Sequence, residues 1–150
     1  MGTLIEISCQ SCDYKKDFYL GVGVMYSSLE SVWAVIPFKS RQDVKSILAN
    51  FTVTSTDFAH KLYHCINCKE LYEKFWLKIN FKTSTNEEKT YETKFKCPKC
   101  YKELKLVLKA AEVEDEIKSD VELYAPFVVV LPCPKCAKES LAVKRTGHWD

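Results

Sequence analysis

No apolar run in this chain is long enough to cross a bilayer. The longest, Phe127 to Leu131, falls far short of the ~18 residues a membrane helix needs. Nor does a charged segment followed by an apolar stretch precede Thr3-Leu4-Ile5-Glu6-Ile7, so no secretory leader is read and a reducing, cytoplasmic setting is expected. Glycine is scarce, at 4 residues, and Gly21-Val22-Gly23 has no third glycine opening a helix. That speaks against a phosphate-cradling loop and for a turn or bulge. The three histidines, His60, His64 and His148, stand without a visible acid/base partner, and no catalytic constellation forms around them. An enzyme is therefore not expected.

Cysteine, in contrast, is plentiful and orderly. All 8 fall into four C-x-x-C pairs, Cys9/Cys12, Cys65/Cys68, Cys97/Cys100 and Cys133/Cys136, and none is left over. A C-x-x-C turn points two thiolates at one spot, and a structural Zn2+ takes four ligands at ~2.3 Å, so four pairs make two closed all-cysteine sites. Two Zn2+ ions are the expected cofactors. Iron, as in an electron carrier, is the less favoured alternative, since thiolates alone do not choose between the two metals. A thioredoxin-type redox pair needs a helix starting at the cysteines, and here a strand-like stretch follows each pair. An all-cysteine closed site also leaves no place for a catalytic water.

With 47% hydrophobic and 13% aromatic residues the chain can fill a real core. Alternation predicts strands leading into and out of each pair, with a long strand in which Leu71, Glu73, Phe75, Leu77, Ile79 and Phe81 face one way. Residues 52–57, polar and β-branched, read as a loop or edge strand. Two short helices are expected within residues 28–51. Ser27 and Glu30 form a capping-box signature before Leu29, Val32, Trp33 and Ile36, and Pro37 stops that helix. Ser40 and Asp43 cap a second, with Val44, Ile47, Leu48 and Phe51 as its stripe and Asn50 as its end. The tip 112–120 is acidic. The fold class is α+β, mostly β, and the expected division is an N-terminal module, residues 1–85, followed by a C-terminal one, residues 86–150.

The repeated unit is a strand in, a C-x-x-C tip and a strand out. Cys97-Pro98-Lys99-Cys100 and Cys133-Pro134-Lys135-Cys136 resemble the knuckles of zinc-ribbon proteins, and Cys9-Gln10-Ser11-Cys12-Asp13-Tyr14 is similar to the first knuckle of rubredoxins. Those proteins usually carry glycine where this chain has Asp13 and Ala137. Taken whole, the chain resembles small bacterial double-zinc-ribbon proteins with a helix pair inserted after the first knuckle, a likeness that implies an architecture and no activity. Which knuckles share an ion stays open. Shorter closure favours consecutive mating, Cys9/Cys12 with Cys65/Cys68 and Cys97/Cys100 with Cys133/Cys136. The nested scheme gains from the compact hairpin between Cys68 and Cys97, and an interleaved scheme is the third.

The formal charge of +2 falls to about −2 once eight thiolates and two divalent ions are included. Charge is uneven: residues 61–110 carry 12 Lys/Arg against 6 Asp/Glu. Within them Tyr72, Lys74, Trp76, Lys78 and Lys82 share one strand face, which aromatic rings and lysines make a candidate surface for single-stranded nucleic acid, widened by Lys94, Lys96, Lys105 and Lys109. The favoured partner is nonetheless a protein, met by an accessory, regulatory or inhibitor module whose ribbons act as rigid pegs. No small-molecule substrate is evident.

Overall fold

A computed structural model describes residues 2–108 and 127–150. Eight strands and one helix follow in the order β1 (Gly2–Cys9), β2 (Lys15–Leu20), α1 (Phe38–Asn50), β3 (Thr52–His64), β4 (Leu71–Lys82), β5 (Glu88–Glu92), β6 (Lys105–Leu108), β7 (Phe127–Val129) and β8 (Leu141–Trp149) among the described residues. They form two four-stranded sheets, β2-β1-β8-β7 and β5-β4-β3-β6, with every pairing antiparallel.

The topology is nested. The first sheet takes its strands from the two ends of the chain, and β1 pairs along its length with β8, from Gly2 opposite Trp149 to Cys9 opposite Leu141. The second is built from the residues between. Gly21 joins the two: its N–H and C=O bond to the C=O and N–H of His60 at 2.9 and 2.8 Å, with φ of 81°, a left-handed backbone that glycine adopts without strain. Glu73 fastens the same seam, accepting from the Tyr19 N–H at 2.7 Å and meeting His60 Nδ1 at 2.9 Å.

The alternation of β4 is realised. Phe75, Leu77, Ile79 and Phe81 are buried with Val44 and Ile47 of α1 and with Val32 and Ile36. Each such side chain contributes about 2 kcal/mol of apolar burial. A second cluster, Ile5, Ile7, Phe18, Leu20, Leu141 and Val143 with Leu62 and Leu71, draws on both sheets.

Of the two readings of the polar stretch 52–57, loop or edge strand, the structure shows the strand: the stretch opens β3 and pairs with β4 from Lys82 onward, while β6 reaches only Leu62 to His64. One expectation needs correction. The expected helix pair is a single helix. Residues 29–35 form turns whose N–H groups mix bonds to the third and fourth preceding carbonyls: Trp33 to Glu30, Ile36 to Val32. Pro37 leaves too few residues ahead of it for a helix to propagate; Ser28 and Ser31 bond each other's backbone N–H groups as a reciprocal cap, but the Ser31 hydroxyl also donates to the Ser28 carbonyl at 2.7 Å. The apolar spacing marks core, since Val32 and Ile36 are fully buried, without making a helix. Helix α1 begins earlier than Ser40 predicts, after Pro37, without a side-chain cap. The acidic tip 112–120 and Lys109 lie outside the described residues.

Candidate metal centres

Each C-x-x-C pair is held by the same backbone turn. The N–H of its first cysteine bonds to the carbonyl five residues on: Cys9 to Tyr14, Cys65 to Glu70, Cys97 to Lys102 and Cys133 to Lys138, all at 2.8 to 2.9 Å. This loop turns both side chains inward and aims N–H groups at sulfur, as Ser11 does at Cys9, Cys68 at Cys65 and Lys135 at Cys133, at 3.3 to 3.4 Å.

The strands then bring the pairs together in two sets. Cys9, Cys12, Cys133 and Cys136 form an outer centre on the first sheet, and Cys65, Cys68, Cys97 and Cys100 an inner centre on the second, each with its sulfurs within 4.8 Å of one another. This is the nested mating, not the consecutive one that loop closure favours. Closure entropy for the longer loop differs by only about 1 kcal/mol, whereas the pairing of β1 with β8 carries a full ladder of hydrogen bonds.

The spacing suits a tetrahedral ion. Four sulfurs at ~2.3 Å from a centre lie ~3.8 Å apart. The outer centre has Cys9 to Cys136 and Cys12 to Cys133 at 3.6 Å, and the inner has Cys65 to Cys100 at 3.5 and Cys68 to Cys97 at 3.9 Å. All eight cysteines are free thiols at these distances, each pair having one buried and one half-buried member. Two centres that can each hold a metal ion are thus assembled.

Hydroxyl donors polarise one sulfur in each centre. The Ser140 hydroxyl lies 3.1 Å from Cys9 Sγ and is the main cause of its pKa falling from 9.0 to about 6, against the effect of burial. At Cys97 burial acts first and upward, but the Tyr72 hydroxyl at 3.5 Å and the N–H groups of Cys100 and Lys99 outweigh it, again reaching about 6. Tyr72 itself is pushed up by burial and then by Cys97, so it stays protonated and donates. Three sulfurs, Cys12, Cys65 and Cys68, go the opposite way. Cys68 rises to about 12 through Cys100, burial and Cys97. Cys12 also reaches about 12, because burial and the sulfurs of Cys133, Cys9 and Cys136 outweigh the Tyr14 N–H that lowers it. In each centre a lowered sulfur stands with a raised one, Cys9 with Cys12 and Cys97 with Cys68, and a divalent cation displaces the proton that the raised one keeps.

Across each centre a lysine of the Cys-Pro-Lys-Cys knuckle reaches an acid beside the opposite pair: Lys135 to Asp13 at 2.5 Å and Lys99 to Glu70 at 2.6 Å. Neither Ser140, Tyr72, Asp13 nor Glu70 was singled out from sequence as serving the sulfurs. The position of a lysine in both Cys-Pro-Lys-Cys motifs was the available signal.

The histidines take no place in either sulfur set. His64 is buried at the end of β3, its imidazole pushed below its ordinary value by desolvation, and its Nε2 has no hydrogen-bond partner among the described residues. Of the lysine and aromatic face nominated on β4, Trp76 is 7% exposed. Its indole N–H donates to Glu92 at 2.6 Å and the Lys61 ammonium lies 2.8 Å above its ring. Tyr72 is turned to Cys97, and Lys74, Lys78 and Lys82 are half-buried along the same face.

No helix among the described residues is long and apolar enough to cross a membrane. Comparison with protein families, with curated proteins and with solved structures finds no match to this chain.

Proposed function

We propose that this chain is a zinc-stabilised binding module with no catalytic chemistry of its own, acting by contact with another protein as an accessory, regulatory or inhibitory component. The observation that carries the reading is the closed donor set: four sulfurs per centre, spaced for a tetrahedral ion, complete the coordination that zinc prefers in structural sites. An ion so enclosed fastens strands and leaves the outer surfaces for recognition. Zinc is favoured over iron because all-thiolate tetrahedral sites at knuckles are its commonest structural setting.

A protein partner is favoured over nucleic acid because the ring faces that bases would stack on are taken. Trp76 lies under Lys61, and Tyr72 is directed at a sulfur. The test joins metal analysis of the purified chain to in-cell cross-linking in its host. Two zinc per chain, with a cross-linked protein that disappears in a Cys97→Ser variant and survives nuclease, is the expected result. Red, iron-loaded protein, or cross-links to nucleic acid alone, would replace this reading with electron transfer or nucleic-acid binding.

A further inference from the structure

The two centres differ in the charge that surrounds them. Counting from three residues before the first cysteine of each pair to eight after, the outer centre has four lysines and four carboxylates, and the inner has six lysines and three. Each centre with its ion carries the same −2, so neutralising sulfur does not account for the excess at one of them. At the outer centre Lys15 and Lys135 are matched by Glu6 and Asp13. At the inner centre only Lys99 has an ion-pair partner; Lys69, Lys94, Lys96, Lys102 and Lys105 are exposed and make no ion pair among the described residues.

This excess borders a groove. A cavity of about 580 Å³ opens on the face of β3 and β4 away from α1, floored by Trp76 and Tyr63 and lined by four lysines, Lys94 and Lys105 among them, against three carboxylates, Asp57, Glu92 and Glu103. A second depression of about 450 Å³, beside Ile66 and Lys102, shares Glu103 and Lys105 with it. Together they make one path from the sheet to the inner knuckle. Large apolar side chains stand exposed there: Ile66 at 66% and Leu106 at 44% line the two depressions, and Tyr101, at 75%, precedes Lys102 in the chain.

We propose that this path receives an extended acidic segment of a partner protein, with carboxylates on the lysines and apolar side chains on Ile66, Tyr101 and Leu106. The inference rests on the protein-binding reading above and gives it a surface and a ligand chemistry. The cations on the path are lysines, point charges that meet carboxylates at varied angles, and the rings a nucleic acid would stack on are occupied, Trp76 by Lys61 and Tyr72 by Cys97. Lysines alternating with exposed apolar groups match a strand that alternates in the same way.

The test uses the full zinc-loaded chain and a fluorescent glutamate-rich dodecapeptide carrying two leucines, followed by anisotropy. Controls are the same peptide with serine for leucine and an oligothymidine of equal length. The expected result is saturable peptide binding, weakened roughly tenfold or more by Lys94→Glu with Lys105→Glu, both exposed, while two zinc per chain are retained. Absence of peptide binding, tighter binding of the oligothymidine, equal binding of the serine peptide or indifference to the double variant overturns the proposal. So does binding that emerges only when the chain's own acidic residues between 112 and 120 are neutralised, which assigns the groove to that segment. A failed peptide assay with two zinc per chain and a partner cross-linked elsewhere leaves the broader reading standing, whereas iron in the centres removes both.

Discussion

The inner centre joins Cys65 to Cys100 across 35 residues, and the outer joins Cys9 to Cys136 across 127. Locally the two are built alike, with the same knuckle turn, one hydroxyl-polarised sulfur and one lysine reaching across. They differ in what they hold. The inner centre clamps a continuous segment, β3 to β6, that folds on itself. The outer clamps the two ends of the chain, which meet through β1 and β8 around it. Identical chemistry therefore does two jobs: one stiffens a hairpin, the other closes the protein.

Cysteine replacement breaks the comparison with the largest effect, since a structural zinc site contributes on the order of 10 kcal/mol in small modules. Cys133→Ser should strip hydrogen-exchange protection from β1, β2 and β8 and leave β3 and β4 protected, with one zinc retained. Cys97→Ser should reach further, because Leu62 and Leu71 of the inner unit are packed in the core of the outer one. Equal and complete loss of protection in both variants would show that the two centres fold as a single unit.

The seam between the units comes next. Glu73 is the shared acceptor for the Tyr19 N–H and His60, so Glu73→Ala leaves a backbone N–H without its charged acceptor and should cost about 2 kcal/mol in denaturant unfolding. Both zinc ions should stay bound. An unchanged midpoint would mean that apolar packing alone joins the units.

How much of this was legible beforehand follows from the range of each interaction. The cysteine pairs, the alternation of β4 and the burial of Val32, Ile36, Val44 and Ile47 are local signals and were readable. The mating of the pairs was not. It depends on β1 recognising β8 across nearly the whole chain, and loop entropy points weakly the other way, against the compact hairpin between Cys68 and Cys97 that favours the nested scheme. Trp76 shows the same limit: its period placed it on the lysine face, but only the cross-strand position of Ala59 and the reach of Lys61 and Glu92 put it under cover.

The hydroxyl donors sharpen the comparison at a smaller scale. In metal-free protein Cys9 and Cys97 hold their protons below the ordinary value of 9.0, at about 6. A depressed folded value contributes stability that is fully present above 9, shrinks as pH falls and is gone below 6. Ultraviolet thiolate absorbance should therefore show two thiolates per chain forming near pH 6. Tyr72→Phe should move one of them upward and Ser140→Ala the other, and each should weaken zinc in competition with a chelator by roughly tenfold at its own centre. Loss at both centres from a single variant would contradict independent loading.

The smallest effect separates the knuckles themselves. Lys69, Tyr101 and Ala137, four residues after the first cysteine, have φ of 60°, 60° and 63°, a region costly for residues with a Cβ, and each donates its N–H back to that cysteine's carbonyl at 2.7 to 2.9 Å. Asp13, at the same place in the first knuckle, is not among the positive-φ residues. Glycine should therefore help at one and not at the other. Relief of about 1 kcal/mol of strain, less the extra chain entropy of glycine, leaves Ala137→Gly about 0.5 kcal/mol more stable, while Asp13→Gly should destabilise because it also removes the partner of Lys135. Thermal melts of the two variants with zinc bound decide it. A gain from Asp13→Gly would mean that the first knuckle carries the same backbone strain as the other three.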